Sequence, residues 1–318
     1  MKIKDVYETA VKLGIEADPR GEEGIKRLLD KQKEEYEKLD DGDKDIFDEQ
    51  KLDNPYDDSR MLHGDPDKEV NRVLVGIDIT TGEVLLSDRL SEKGKAIDLI
   101  ISHHPRGLGL TGLDDVMHLQ KDLLYQWGVP INIAESLMNE RIKEVERRVR
   151  GANYNQSVDA AKLLDIPMMC IHTPADNLVN KFLMDKIESG EFDTVNDVIG
   201  MLNDIPEYHK GRKFGDGPFV LVGSNDRKAG KIVVEMTGGT QGNKKSYEKL
   251  SQAGVGTLIG MHLSDEHRKE VEKNHMNYII AGHMSSDSLG LNLFLDELEK
   301  QGIEIIPCSG FTRHSRNK

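Results

Sequence analysis

The sequence predicts an α/β protein with a partly parallel sheet, and two observations lead to this prediction. From Val70 onward, short apolar runs typical of buried strands alternate with stretches of helical periodicity, as in sheets that are covered by helices on both faces. In addition, a strand, a helix and a second strand that ends in histidine occur at residues 73–104 and again at 232–262. Two halves built alike would naturally face each other across a shared site.

These patterns place the individual elements beyond residue 70. Strands are predicted at residues 73–79, 99–102, 131–134, 168–172, 219–222, 232–236, 257–260, 278–282 and 304–307. Helices are predicted at residues 116–127, 140–150, 157–164, 179–188, 195–202, 245–253, 265–274 and 286–301. The first 69 residues differ, with helical stretches at 6–13 and 22–39, an acidic run at 40–45 and a turn-rich passage at 54–58. We interpret the acidic run as a solvated face or a loop.

The composition excludes several classes of function. The formal net charge is −14, which argues against a non-specific nucleic-acid binder and against anionic membranes, because both require a basic face. No apolar stretch approaches the roughly 20 residues that span a bilayer, and the first residues lack the continuous apolar segment of a secretory signal. Because the two cysteines, Cys170 and Cys308, both lie in apolar runs, we expect a cytoplasmic protein with buried, reduced thiols.

The most specific local motif is a buried strand that ends in two adjacent histidines, His103 and His104, followed by Pro105. Ligands bind at the carboxyl ends of strands in open α/β sheets, so both imidazoles are placed where a site is expected. The side chains of adjacent residues at a strand end point in diverging directions, which suits two neighbouring ions better than one. The alternative is a pair of loop histidines that are hydrogen-bonded to nearby carbonyl groups.

Two further strands are followed by residues of the same kind. The strand that ends near residue 171 leads into His172 and Asp176, and the strand that ends near residue 281 leads into His283 and Asp287. His283 and Asp287 can converge on one ion across a strand–turn–helix junction. As alternatives, Asp176 and Asp287 are helix caps, and His283 is a core residue. His172, closer to its strand, is interpreted as a supporting residue rather than a ligand.

Taken together, the three motifs predict a metal centre. Imidazoles and carboxylates are ligands for zinc, iron, manganese, cobalt or nickel, and the absence of thiolates leaves coordination positions open for water or substrate. Two ions about 3.5–4 Å apart with a bridging carboxylate would suit metal-assisted hydrolysis. The predicted ligands are His103, His104, Asp176, His283 and Asp287.

Between about Val70 and Thr312, the chain resembles the Nif-three-like family of dinuclear metal-centre proteins, also called GTP cyclohydrolase type-two homologues. The resemblance lies in the strand–His103–His104–Pro105 unit, the unit from His172 to Asp176, and the unit from Gly282 to Asp287. It implies that the five side chains named above bind the two ions. The bridging acid of the family is usually glutamate, and Asp287 is one methylene shorter.

The resemblance also implies an architecture of two intertwined, internally repeated α/β units with mixed sheets. On this basis residues 1–69 form a divergent acidic helical region packed on the core, residues 70–175 the first repeat and residues 176–318 the second, with the metal site between them. Family members commonly assemble as hexameric rings, so a homo-oligomer is expected here. Asp78, in the segment at residues 76–80, is expected to line the site in a supporting role.

Weaker signals were weighed against these motifs. The segment at residues 238–246 resembles a phosphate-binding loop but lacks the glycine before its lysine and serine, so a tight turn is the simpler interpretation, and anion binding by its backbone amides is the alternative. His262 follows a strand as His104 does and would approach the site from the second repeat. The basic end of the chain, residues 313–316, is either a solvated terminus or a contact for a phosphate-bearing substrate.

The leading functional hypothesis is a metal-dependent hydrolase of a small, nucleotide-like substrate, with His172 and His262 as candidates for acid–base catalysis. The rival hypothesis is a metal-binding chaperone, trafficking or regulatory protein without turnover, because the same ligands serve both. No organic cofactor, nucleic acid or membrane is predicted to bind. The cyclohydrolase activity is implied by the resemblance alone.

Overall fold

Two mixed sheets and the helices around them form the protein, and the computed structural model describes residues 1–317. The strands are β1 (Arg60–His63), β2 (Arg72–Gly76), β3 (Leu99–Ser102), β4 (Met168–Cys170), β5 (Phe219–Val222), β6 (Lys231–Glu235), β7 (Val255–Gly260), β8 (Asn277–Ile280) and β9 (Glu304–Cys308). The helices are α1 (Ile3–Glu16), α2 (Gly21–Glu37), α3 (Asp41–Asp45), α4 (Thr81–Glu92), α5 (Gly107–Thr111), α6 (Leu119–Gln126), α7 (Ile131–Val149), α8 (Gln156–Leu163), α9 (Thr173–Glu188), α10 (Val195–Asn203), α11 (Pro206–Gly211), α12 (Ser246–Gln252), α13 (Asp265–Lys273) and α14 (His283–Lys300). Short 3-10 helices lie at Glu49–Leu52, Asp115–His118 and Arg212–Phe214.

The two sheets share one strand order, which confirms the predicted α/β fold with mixed sheets and an internal repeat. The first sheet has the order β1-β4-β3-β2-β9 and the second the order β5-β8-β7-β6. In each, the first pair is antiparallel with a register irregularity, and the pairs that follow are parallel. Removing β9 from the first sheet leaves two sheets of identical topology.

The first sheet takes strands from outside the segment predicted for the first repeat. β1 precedes residue 70, and β9, near the end of the chain, pairs in parallel with β2. The first sheet is therefore larger than residues 70–175 provide, and the chain crosses from the second unit back to the first. The pairing of β9 with β2 therefore links the second unit to the first.

The predicted strand at residues 131–134 is wrong, because these residues begin helix α7. The apolar positions Ala134, Met138, Ile142, Val145 and Val149 continue from this run at helical spacing and are all buried. A short run rich in isoleucine does not by itself distinguish a buried strand from the first turn of a helix. Strand β1 was not predicted, since it has only four residues and carries Arg60 and His63 at its ends.

Helices α9 and α14 lie side by side between the two sheets. Ala175 of α9 and Phe294 of α14 belong to the apolar core against the first sheet, whereas Val179 and Leu289 belong to the core against the second. The helices cross closely at Gly290, where a Cβ atom would lie only 2.3 Å from the carbonyl oxygen of Ala175. Within residues 1–317, no helix is long and apolar enough to cross a membrane.

Candidate metal centre

The predicted ligands lie together where the strands of both sheets end. His103 and His104 directly follow β3 of the first sheet, while His172 and His283 lie at the starts of α9 and α14, which follow β4 and β8. The carboxyl ends of parallel strands meet at one edge of each sheet, and here those edges face each other. The five side chains predicted as ligands converge in this space, and His172 joins them.

The internal repeat extends to the chemistry of the site. His172 and Asp176 are four residues apart in the first turn of α9, and His283 and Asp287 have the same spacing in α14. Side chains at this spacing lie on one face of a helix. The Nε2–Oδ2 distance is 3.7 Å in the first pair and 3.5 Å in the second. Each repeat therefore contributes one imidazole–carboxylate pair to the centre.

Asp287 lies at the middle of the cluster and faces three imidazoles. Its Oδ1 is 3.4 Å from Nε2 of His103, and its Oδ2 is 3.5 Å from Nε2 of both His104 and His283. These distances exceed those of ordinary hydrogen bonds. Two ligand atoms about 2.1 Å from one tetrahedral ion lie about 3.4 Å apart, so the spacing fits shared metal coordination.

The polar atoms at the centre have no protein partners. Both carboxylate oxygens of Asp287 and Nε2 of His103 are buried and accept or donate no hydrogen bond among the described residues. Buried polar groups are nearly always paired, because leaving one unpaired costs about 1–3 kcal/mol or more. A cation bound between these atoms would satisfy all three.

A second group lies on the other side of His103. Nε2 of His103 is 3.5 Å from Oδ1 of Asp176, and His172 completes a buried set of three. His103, His104 and Asp287 form the other set in which ligand atoms lie close enough to hold one ion. The buried histidine and aspartate groups of this protein can therefore bind metal ions.

Hydrogen bonds on the other ring nitrogen orient three of the imidazoles. Nδ1 of His103 lies 3.1 Å from the carbonyl oxygen of Ile171, Nδ1 of His104 lies 3.0 Å from Oδ1 of Asp78, and Nδ1 of His172 lies 2.7 Å from Oδ2 of Asp58. Each acceptor holds the proton on Nδ1, which leaves Nε2 free as a ligand. Asp78 thus has the supporting position that was expected for it.

Asp58 is a functional residue that the sequence motifs did not reveal. It lies in the turn-rich passage before β1, is fully buried, and also accepts a 2.6 Å hydrogen bond from the hydroxyl of Thr173. The second repeat has a counterpart, since Asp216 precedes β5 and accepts a 2.7 Å hydrogen bond from the backbone amide of Ser285. In both repeats an aspartate before the edge strand holds the start of the helix that carries the ligands.

The electrostatics of the cluster favour bound positive charge. Burial alone would lower the pKa of His104, but Asp287 and Asp78 outweigh it and raise that pKa to about 10. Burial would raise the pKa of Asp287, yet the imidazoles of His103 and His104 hold it far below its usual range. Burial raises the pKa of Asp176 to about 6. Charge on the imidazoles thus stabilises the Asp287 carboxylate, and a metal ion would do so in their place.

An open cleft leads to the centre from the second repeat. His262 lies on its wall with its ring centroid 4.8 Å from that of His283, so this histidine does approach the site as its position after β7 indicated. The lining also includes the glycine-rich loop, where Gly238 and Gly239 have φ values of 85° and 88°. Helix α12 begins at Ser246, directly after this loop, so the glycine-rich turn connects β6 to that helix along the cleft.

The fold places the chain among known proteins. No family model and no curated protein matches the sequence. Among solved structures, a NIF3 superfamily protein from Sphaerobacter thermophilus matches with a TM-score of 0.73 and 28% sequence identity, over 80% of this chain and 91% of that chain. This match, in fold and in sequence, supports the assignment of the chain to the Nif-three-like family.

More distant structures match as well. Reduced HcgD from Methanocaldococcus jannaschii matches with a TM-score of 0.49 and 15% identity, over 78% of this chain and 87% of that chain, and the family assignment does not depend on it. The resemblance predicted from the three sequence motifs is confirmed by the structure from Sphaerobacter thermophilus.

Proposed function

We propose that this Nif-three-like protein binds two divalent metal ions and uses them to hydrolyse a small molecule. His103, His172 and Asp176 would hold one ion together with Oδ1 of Asp287. His104 and His283 would hold the other together with Oδ2 of Asp287. The proposal adds His172 to the five ligands expected from the sequence, because its Nδ1 is fixed by Asp58 and its Nε2 faces Asp176.

The observation that carries this proposal is the environment of Asp287. Its carboxylate is 1% exposed, both of its oxygens lack hydrogen-bond partners, and each oxygen faces a different imidazole. A buried anion in this setting needs positive charge on both sides. A carboxylate that bridges two cations meets that need.

The kind of donor atoms at the centre also limits which metal ions can bind. Neither Cys170 nor Cys308 belongs to the groups that can hold an ion, so the ligands are nitrogen and oxygen atoms, which suit zinc, iron, manganese, cobalt or nickel. When bound, such ions polarise a substrate and lower the pKa of water towards neutrality. The side chains at the cleft then have to position the substrate and accept a proton.

His262 is suited to accept that proton. It lies on the cleft wall beside His283, and burial lowers its pKa, so its imidazole is neutral at physiological pH. A neutral imidazole beside the open side of the centre can take a proton from an attacking water. His172, the other candidate for this role, is assigned to the ligands instead.

Metal content and turnover test the proposal together. Wild type and Asp287→Asn are purified without chelators, and their metal content is measured by inductively coupled plasma mass spectrometry. The matched control is Asp265→Asn, at an exposed position. We expect about two divalent ions in wild type and in the control, and a clear loss in Asp287→Asn. Little metal in wild type after reconstitution would overturn the dinuclear centre.

A panel of phosphoesters, nucleotides and cyclic amides then tests for hydrolysis. Metal-dependent turnover that His262→Gln reduces by about 10²- to 10⁴-fold, without loss of metal, would support the enzyme and the role of His262. Stable binding of both ions with no turnover of any compound would favour the rival function, a metal-binding protein that transfers or senses metal.

A further inference from the structure

One titratable residue of the cleft has no part in the metal centre. Glu235 is the last residue of β6, and its side chain lines the same cleft as His283 and Asp287. Its Oε2 accepts hydrogen bonds from the hydroxyls of Tyr247, at 3.1 Å, and Tyr278, at 3.2 Å. Both tyrosines are only 1% exposed, so this carboxyl oxygen is held in a rigid, apolar surrounding.

The second oxygen, Oε1, is differently placed. It accepts no hydrogen bond from any described residue, and it is absent from the fully buried atoms that lack partners, so it keeps some solvent exposure in a part-buried side chain. The nearby amide of Gln120 is not available to it, because that NH₂ group donates to the carbonyl oxygens of Gly238 and Thr240 at 2.6 Å each. Oε1 of Glu235 is thus an acceptor atom in the lining of the cleft that no described residue occupies.

Glu235 also lacks a counter-ion. Among the described residues, no lysine, arginine or histidine forms an ion pair with it, and the only side chains that act on its pKa are the two tyrosines. Burial is the dominant effect and raises the pKa of Glu235 to about 7. A carboxylate without a cation in such a place is costly to retain for packing alone. A donor group of a ligand would offset that cost.

We propose that Glu235 is a specificity-determining residue, which accepts a hydrogen bond from an amine or amidine N–H group of the small molecule that the metal centre binds. This inference rests on the proposed function, because the other end of the same molecule must reach the metal ions. The cleft would orient a substrate with its metal-binding, electrophilic end at Asp287 and its N–H donor at Glu235. An anionic group at the Glu235 end is disfavoured by repulsion from the carboxylate.

Three probes with one metal-binding head and different tails test the polarity of the cleft. They are β-alanine hydroxamate, with an amine tail, butanohydroxamate, with a methyl tail, and succinic monohydroxamate, with a carboxylate tail. Each is titrated by calorimetry into the metal-loaded wild type, Glu235→Gln and Glu248→Gln, with metal content measured on the same samples. Glutamine keeps the size of the side chain and an acceptor for the tyrosines but removes the charge.

We expect wild type to bind the amine-tailed probe about tenfold or more tightly than the methyl-tailed one, as for a hydrogen bond to a charged group. It should bind the carboxylate-tailed probe most weakly. Glu235→Gln should lose the preference for the amine with its metal content unchanged. Glu248 is exposed and lies in the neighbouring helix α12, so Glu248→Gln should keep the preference and exclude a general effect of the negative surface.

A second measurement does not depend on metal. Guanidinium ion, which has no metal-binding head, is titrated into the chelator-treated protein with ¹³C-labelled glutamate carboxyls, and the Glu235 resonance is identified from its absence in Glu235→Gln. We expect this resonance to shift on titration with guanidinium more strongly than that of Glu248. An equal response of the two carboxyls, or probe preferences that do not change in Glu235→Gln, would overturn the inference. Low metal content in wild type would instead overturn the proposed function. The guanidinium titration would then decide by itself whether Glu235 binds a cationic N–H donor.

Discussion

Asp58 and His172 are separated by 114 positions in the chain, yet Oδ2 of Asp58 accepts a 2.7 Å hydrogen bond from Nδ1 of His172. The aspartate belongs to the region before β1 and the histidine to the start of α9. The contact therefore couples the N-terminal region, whose role the sequence left open, to the metal centre. It holds the histidine in the tautomer that leaves Nε2 free for a cation.

Asp58→Asn should weaken metal binding at the position of His172 and Asp176. The amide places a donor where the carboxylate accepts from His172 and Thr173, which favours the His172 tautomer with its proton on Nε2. We expect a loss of about 10- to 100-fold in metal affinity at one of two positions, measured by competition with a chelator. Asp53→Asn, at an exposed carboxylate, is the control, and equal affinities in the two variants would contradict the role of Asp58.

Gly290→Ala should disturb the crossing of α9 and α14. A Cβ atom at this position would lie 2.3 Å from the carbonyl oxygen of Ala175, the residue before Asp176, so the helices have to move apart. We expect a loss of about 1–3 kcal/mol in the free energy of unfolding, as for other overpacked cores, together with weaker metal binding.

Gly200→Ala is the matched control for this change. Gly200 lies inside helix α10, and a Cβ atom there would meet nothing within 4 Å. Alanine should therefore stabilise the protein by about 0.5–1 kcal/mol through helix propensity and reduced freedom of the unfolded chain. Urea unfolding of both variants measures the difference, and a Gly290→Ala protein as stable as Gly200→Ala would argue against a tight crossing.

Metal addition should stabilise the wild-type protein. The ligands converge only in the folded state, so binding is linked to folding, and free metal at 100 times its dissociation constant would contribute about 2.7 kcal/mol for each ion bound. Thermal unfolding of chelator-treated protein with added zinc or manganese measures this effect. Asp287→Asn should respond much less, and an identical rise in the melting temperature of both proteins would mean that the ion binds elsewhere.

The stability of the protein should depend on pH through Glu235. Burial raises the pKa of its carboxyl from the ordinary 4.5 to about 7 in the folded state, so the folded state binds more protons than the unfolded state between these values. Stability contributed by the protonated form is then lost as pH rises from about 4.5 to 7, by about 3 kcal/mol in total.

Glu235→Gln removes this titration. We expect the variant to gain about 2.5 kcal/mol relative to wild type between pH 5 and pH 8, measured by urea unfolding in one metal state. Glu248→Gln, at an exposed site, should show no such gain towards alkaline pH. If the free energies of unfolding of wild type and Glu235→Gln differ by the same amount at every pH, the pKa of the Glu235 carboxyl is not raised in the folded state.

Much of the site was predictable because its signals are local. A strand followed at once by His103 and His104, and the spacing from His283 to Asp287, are properties of short segments, and the geometry of a strand end or a helix turn follows from them. The strand–helix–strand pattern likewise predicted the repeated α/β fold. Local patterns were ambiguous only where a run was short, as at residues 131–134.

The tertiary structure alone decided which distant segments meet. Asp58 reaches His172 because β1 pairs with β4, and β9 joins the first sheet because it pairs with β2. No residue spacing along the chain predicts either pairing. The environment of Glu235 is likewise decided by tertiary packing, which brings it next to Tyr247 and Tyr278 and into the cleft of the metal centre. The sequence by itself determined most of the elements and most of the candidate ligands, since these depend on residues a few positions apart. Packing between the repeats determined the rest, because burial and electrostatic environment exist only once the chain has folded.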